Sequence, residues 1–317
     1  MTAPAHIPVM ADQVAALLGP ALQTPGAVLV DATLGRAGHA RVLLDAHPGV
    51  ALIGLDMDPT AIGESRRVLA GHASRITLMH ARYDEMPAIL AGAGHPQVQG
   101  VLFDLGVSSP QLDDRERGFA YSYDAPLDMR MDVTRPLTAA QVVNTYPAER
   151  LAAILREFGE ERFAARIARA LVRERTRDPL TSTGRLADII KASIPAPARR
   201  TGGNPAKRTF QALRIEVNGE LEALSEALPA AMEALAPGGR IVVLAYHSLE
   251  DRMVKRTFAE RTRDTTPRGL PQSLPSHRPR FRLLTRGALR PPEQEVAANP
   301  RAASVRLRAA ERIGEAA

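Results

Sequence analysis

Two apolar runs, Ala27-Val28-Leu29-Val30 and Leu52-Ile53-Gly54-Leu55, each end in an aspartate, Asp31 and Asp56, 25 positions apart. Between them lie a short turn holding Gly35 and Gly38 and a helical pattern over 39–47. Strand, glycine turn, helix, strand and terminal acid form the unit that receives a nucleoside-bearing ligand at the carboxyl edge of a parallel sheet. Glycine lets the backbone approach the ligand closely, and the acid after the second strand can accept from two ribose hydroxyls. Few other folds accommodate that order of elements.

The turn also discriminates between ligands. A dinucleotide fold takes G-x-G-x-x-G, with helix N–H groups aimed at a pyrophosphate. Here the turn reads Gly35-Arg36-Ala37-Gly38, with Asp31 just upstream. An acid at the mouth suits a cation better than a pyrophosphate. S-adenosylmethionine, with a sulfonium, an amino group, a ribose and no phosphate, fits this turn better than a nicotinamide dinucleotide does. An ordinary packing turn would account for the glycines but not for acids at both strand ends.

Along the rest of the chain, runs at 75–80, 98–104 and 240–246 join 27–31 and 51–56 as five buried parallel strands. Helical patterns at 39–47, 59–70 and 84–92 separate the first four. Between Asp104 and Gly239 the strand rhythm stops. Leu151, Ile154, Leu155 and Phe158 share one helical face, Phe163, Ile167, Ala170 and Leu171 another, and Leu186, Ile189 and Ile190 a third, closed by Pro195 and Pro197. The expected organisation is therefore an α/β core formed by 1–112 and 206–317, interrupted by a helical insertion at 113–205. A long helix over 210–236 should end at Pro237-Gly238-Gly239, and another should follow near 249–262. Runs at 281–285 and 303–309 can complete a Rossmann-like, mostly parallel sheet with antiparallel C-terminal strands.

Composition narrows the chemistry. The 317 residues include no cysteine, which excludes disulfides, thiolate metal sites, iron–sulfur clusters and a Cys nucleophile. Methylation of a pyrimidine ring carbon through covalent Cys attack is thereby excluded, whereas direct transfer to nitrogen or oxygen is not. No spacing among the 8 histidines suggests a metal site. The chain has no apolar run long enough for a membrane span and no signal pattern at its N-terminus, so a cytoplasmic protein is expected. Charge is uneven: residues 1–150 carry −5 and residues 151–317 carry +11, and only Lys191, Lys207 and Lys255 among the 41 basic residues are lysine. Arginine is the better bidentate phosphate ligand and stacks on bases, so the basic half suits a nucleic-acid partner. The segment 252–290 holds 11 basic residues and two acids. It reads equally as an RNA groove or as a solvated loop, and the Pro/Arg-rich stretch 264–280 lies within it.

Four motifs can carry chemistry. The fourth strand runs into FDLGVSSPQLDD, which sets Asp104 at the carboxyl edge. An exocyclic amine on a base is a poor nucleophile because its lone pair is conjugated into the ring. A carboxylate accepting its N–H localises that pair and eases proton loss, which makes Asp104 the candidate catalytic residue or, alternatively, a turn-fixing carboxylate. Asp128, Arg130 and Asp132 in LDMRMD can face a substrate or pin the insertion. Lys207 and Arg208 with Phe210 can hold a phosphate and stack a base, unless Phe210 is core. His247 in YHSLEDR can contact substrate or serve as a hydrogen-bonded structural histidine. No G-x-S-x-G accompanies Ser248.

Assembled, these segments closely resemble the bacterial methyltransferases that modify N4 of a cytidine in small-subunit ribosomal RNA. The shared stretches include HIPVM, DATLGRAGH, LDMDP, DLGVSSPQLDD, ERGF, PLDMRMD, GEERFA, RTFQALRIEVN, APGGR and HSLEDR. The resemblance spans nearly the whole chain. It implies an S-adenosylmethionine site using Ala37, Gly38 and His39, with Asp56 on the ribose, Tyr83 near the adenine, and Asp104 and Gln111 after the fourth strand. It implies a target near the decoding centre, a helical domain that helps form the substrate cleft, and the small subunit or its rRNA as partner. Neither membrane nor structural metal is implied, and the chain is expected as a monomer or homodimer. A ribosome-assembly RNA-binding factor with a vestigial cofactor site is the alternative. Two positions depart from the family pattern: Ala37 stands where Gly is usual, and Asn204 precedes Pro205 where His is frequent. The methyl of Ala37 is expected to fit because that backbone need not take a positive φ.

Overall fold

Strand order decides where a ligand can sit, and here it reverses between two strands that both end in an acid. A computed structural model describes residues 8–108, 111–112, 114–199, 204–267 and 277–314. They divide into two compact units, one formed by residues up to 106 together with those from 222 onward, the other spanning 107–221.

The first unit is a seven-stranded sheet in the order β3-β2-β1-β4-β5-β7-β6. Its strands are β1 (Val28–Asp31), β2 (Ala51–Asp56), β3 (Ile76–His80), β4 (Val98–Asp104), β5 (Leu235–Ala245), β6 (Phe281–Leu283) and β7 (Arg306–Arg312). β1 to β5 are mutually parallel, and β7 runs antiparallel against both β5 and β6. β1 is buried along its whole length, and β4 is buried at all but two positions, Gln99 and Asp104. Unbroken apolar runs are what helices on both faces of a parallel sheet require.

Helices α1 (Ala11–Leu22), α2 (Gly38–Ala46) and α3 (Pro59–Val68) cover one face. There Val14, Leu18, Leu43, Leu44 and Ile62 pack on Leu29, Leu52 and Leu102. The other face meets α4 (Met86–Gly92), Leu224, Leu228 and Met232 of α11 (Glu220–Ala234), and α12 (Ser248–Arg261). α13 (Glu293–Ala298) precedes β7.

The second unit is helical: α5 (Ala139–Thr145), α6 (Ala148–Glu157), α7 (Ala164–Arg175), α8 (Thr183–Ser193), the single turn α9 (Ala196–Arg199) and α10 (Lys207–Asn218). Leu151, Ile154 and Leu155 of α6, Ile167, Ala170 and Leu171 of α7, and Leu186 and Ile190 of α8 are buried, as their spacing requires. The LDMRMD loop is structural. Arg130 makes a bidentate pair with Asp128 at 2.8 and 2.7 Å and donates to the Val133 and Arg135 carbonyls. Asn218 closes the same loop, accepting from Met131 N–H and donating to the Met129 carbonyl.

Several expectations need correction. The helix expected over 210–236 is two helices, broken at Gly219, whose φ of 66° caps α10 in the left-handed region. α10 thus belongs to the helical unit, which ends at 221 rather than 205. Pro237-Gly238-Gly239 lies within β5: Leu235 pairs with Val98 and Arg240 with Gly100, so the residues between them bulge out of the ladder. Most of the 264–280 stretch, at 268–276, lies outside the described residues, as do His6 and Ile7 of HIPVM and Ser109, Pro110 and Asp113 after β4. Asn204 turns its carboxamide oxygen to the Ala206 N–H at 2.9 Å. Among the described residues no helix is long and apolar enough to cross a membrane.

Ala37 also departs from expectation. Its φ is 57°, in the left-handed region, and its side chain is fully buried. The turn requires positive φ because the Ala37 N–H reaches back to the Leu34 carbonyl at 2.7 Å while α2 starts at the next residue. A single methyl is tolerated there at a strain of about 1–2 kcal/mol. A β-branched side chain would add further strain in a site with no room. Ala37→Val should therefore lower the unfolding free energy by about 2 kcal/mol or more, read as a reduced urea midpoint at unchanged slope.

Candidate active site at the carboxyl edge of the sheet

The edge is built by backbone groups first. Ala32 N–H donates to the Leu102 carbonyl at 2.9 Å, and Asp104 N–H donates to Thr33 Oγ1 at 2.6 Å, fastening the turn after β1 to the end of β4. Leu34 N–H reaches the Leu55 carbonyl of β2 at 2.8 Å. Gly35 N–H donates to Asp56 Oδ2 at 2.7 Å, and Asp58 N–H donates to Asp56 Oδ1 at 2.8 Å. Each Asp56 oxygen therefore keeps a free lone-pair direction while its orientation is set. Gly38 is needed for close approach, since a Cβ there would lie 3.2 Å from Pro8 Cβ.

Three carboxylates share this edge. Asp31 is 2% exposed, and its Oδ1 accepts from Thr33 N–H at 3.2 Å. Burial raises its pKa from 3.8 to about 7 against the opposing pull of His39. Burial likewise lifts Asp56 to about 6, in spite of its two backbone donors. Asp104 receives the Tyr246 hydroxyl on Oδ1 at 2.9 Å, and its Oδ2 lies 3.6 Å from His39 Nε2. At that distance the His39 contact is electrostatic rather than a hydrogen bond.

His39 itself is 5% exposed, and its Nε2 has no hydrogen-bond partner among the described residues. Burial works against its charged form, but Asp104 and Asp31 outweigh that and raise its pKa. Burial, with Asp104 alongside, holds the Tyr246 hydroxyl well above its ordinary pKa of 10, so it remains a donor. The buried Glu250 fixes Tyr246 and His247 from behind, accepting from their N–H groups at 2.7 and 3.1 Å. Glu295 of α13 accepts the Met10 N–H at 2.7 Å and adds its negative charge near His39 and Tyr246.

The other candidates divide clearly. Tyr83, half-buried at the head of α4, stacks edge-on against Phe103 at 5.7 Å between centroids. Gln111 lies in the helical unit, where its side chain accepts the Ser108 N–H at 3.0 Å. Lys207 and Arg208 are exposed at the start of α10. Phe210 is corrected from a base-stacking candidate to core: it is 3% exposed and packs edge-on against Tyr121 at 5.7 Å. His247 is the N-cap of α12, its ring held against Glu250, which is the structural role. Sequence reasoning missed Tyr246, Glu250 and Glu295 as parts of the site. The H-x-x-E spacing of 247–250 is a capping-box signal that could have revealed Glu250; Tyr246 and Glu295 carry no local signal.

This edge can hold a ligand bearing both a positive centre and hydroxyls, with a carboxylate, Asp104, fixed on one oxygen and open on the other. The Asp31 shift sets a pH dependence. The unfolded chain ionises Asp31 near 3.8 and the folded protein near 7, so in that window the folded state binds the extra proton. Stability is therefore present below about pH 4 and lost as pH rises towards 7; Asp56 acts in the same direction to about 6. Asp31→Asn should flatten the fall in urea midpoint between pH 4 and 7, and an unchanged fall would contradict the assignment.

The family model described as the MraW methylase family matches residues 3–313. The ribosomal RNA small subunit methyltransferase H of Thermobifida fusca is 63% identical over 313 residues, covering 99% of this chain and 95% of that protein. The enzyme of the same name from Saccharopolyspora erythraea is 61% identical over 311 residues, covering 98% and 94%.

Proposed function

The chain belongs to the MraW methylase family and is a methyltransferase, and from that premise we propose its full reaction: transfer of a methyl group from S-adenosylmethionine to the exocyclic N4 of a cytidine in small-subunit ribosomal RNA near the decoding centre. The observation that carries this reading is the set of carboxylates at one sheet edge, Asp31, Asp56 and Asp104, beside an unpartnered buried imidazole nitrogen. Such an edge favours a cationic ligand. When bound, S-adenosylmethionine supplies an electrophilic methyl group on a sulfonium.

The residues present fit it. Ala37, Gly38 and His39 form the close-approach turn, Asp56 has a lone pair on each oxygen to offer the ribose, and the family pattern sets Tyr83 against the adenine. The family pattern adds Gln111 to this set. Asp104 then acts on the substrate. Its carboxylate accepts an N–H of the cytidine amine, which draws the lone pair out of conjugation, and it would receive the proton as the new N–C bond forms and the methyl–sulfur bond breaks, its electron pair staying on sulfur as a neutral thioether. The Tyr246 hydroxyl keeps Asp104 oriented for that step. The exposed Lys207 and Arg208 are placed to meet phosphate.

The test is transfer of labelled methyl from S-adenosylmethionine to small subunits from a strain lacking this protein, followed by nucleoside analysis. Label in N4-methylcytidine is expected, and Asp104→Ala should slow transfer about 100-fold or more while subunit binding persists. Label in a different nucleoside would overturn the target. Binding without any transfer by the unsubstituted protein would instead leave an assembly factor with a vestigial site.

A further inference from the structure

The helical unit carries a feature that its fold does not need. Along α7 and the residue pair before it, Arg162, Arg166, Arg169 and Arg173 recur at spacings of four, three and four. All four are exposed. The opposite face of α7, with Ile167, Ala170 and Leu171, is buried in the unit's core. The arginines therefore form one stripe along the solvent side, about 16 Å from first to last at 1.5 Å rise per residue.

An ordinary solvated helix face mixes signs, because opposite charges three or four residues apart attract and like charges repel. Here every neighbour within the stripe is another arginine, and the repulsion opposes helix formation. Arg166 and Arg169 have no acidic partner among the described residues. Arg162 lies over the Phe163 ring at 5.7 Å, and Arg173 touches Glu174 at 3.2 Å while its side chain remains 61% exposed. Of the two acids at the head of the helix, Glu161 is turned inward, 4% exposed and accepting the Phe163 N–H, while Glu160 is exposed before the first turn.

The stripe also has a continuation. Arg208 donates to the Glu160 carbonyl at 3.1 Å, so the exposed start of α10, Lys207-Arg208, lies beside the segment from which the stripe begins. Six cations thus run on from one another within a single unit. Arginine's planar, weakly hydrated fork matches phosphate oxygens in pairs.

The geometry points to α7 as a docking track for the sugar–phosphate backbone of the RNA substrate, with Arg162, Arg166, Arg169 and Arg173 each set to meet a phosphate. The track supplies affinity and register and reads no base, as phosphate contacts do. This inference rests on the RNA-substrate reading above.

The test compares the full-length protein with Arg166→Gln/Arg169→Gln, with Arg166→Lys/Arg169→Lys, and with Arg66→Gln/Arg67→Gln, which removes the same charge from α3. For each, binding of a small-subunit rRNA fragment is measured across a salt series, together with KM and kcat for methyl transfer. The α7 glutamine variant should lose about 10-fold in affinity and raise KM comparably at unchanged kcat. Its slope of log K against log salt should be shallower by about 1.4–1.8, corresponding to two phosphate contacts. The lysine variant should retain most of the slope, and the α3 variant should behave as the unsubstituted protein. An unchanged slope and KM in the α7 glutamine variant, with the unsubstituted protein active on RNA, would overturn the track and leave the reaction standing. Weakened binding to whole subunits with unchanged binding to naked rRNA would also overturn it, because the partner would then be a ribosomal protein. Failure of the unsubstituted protein to methylate any RNA would instead remove the reading beneath it.

Discussion

The site depends on β1 and β4 lying side by side. Strand order reverses at this pair, so α2, which joins β1 to β2, and α11, which leads into β5, cover opposite faces, and a crevice is left at the carboxyl ends. Asp31 and Asp104 terminate the two strands, and the Asp104 N–H to Thr33 Oγ1 bond keeps their ends together. Moving β4 one place along the sheet would separate the Asp104 carboxylate from the glycine turn after β1.

The same adjacency explains the electrostatics. Parallel strands buried on both faces bring several acids to one end with little water around them. Burial then raises Asp31 and Asp56 well above ordinary carboxylates. Such a cluster is unfavourable in itself, and a cation placed among its members relieves the strain. Asp104 differs in being tied to Tyr246, whose hydroxyl is held protonated, so one of its oxygens is occupied while the other has, among the described residues, only the His39 ring at 3.6 Å. Glu250 braces that tyrosine through its backbone N–H rather than through its ring.

Much of this could be read from residues alone. β1, β2, β3 and β4 fall within one residue of their apolar runs. For β1, β2 and β4 this is because strands buried on both faces show as unbroken hydrophobic sequence, whereas β3, expected as buried, is the edge strand of the sheet and holds no buried residue. The helical faces of α6, α7 and α8 were legible from their spacing. The helix break at Gly219 was not, since the apolar pattern continues across it and a glycine inside a helix is only mildly unfavourable. Nor was the conformation of Ala37, because alanine seldom takes positive φ and only the hydrogen bond back to Leu34 requires it. Phe210 shows how an aromatic between cations reads as a stacking platform when its burial is decided by Tyr121, far away in sequence. Tyr246 and Glu295 were hidden for a similar reason: their approach to Asp104, His39 and Met10 is a matter of strand register and of a short helix near the chain's end.

The central claim is that this acid-lined edge is built for a cationic, ribose-bearing ligand, and proton linkage tests it most directly. Titration calorimetry of S-adenosylmethionine at pH 6, in buffers of differing ionisation enthalpy, counts the protons exchanged on binding. A cation beside Asp31 and hydroxyls on Asp56 favour their ionised forms, so binding should release protons at pH 6 and cease to do so above about pH 8. Proton uptake, or heats that do not depend on the buffer at pH 6, would contradict the account.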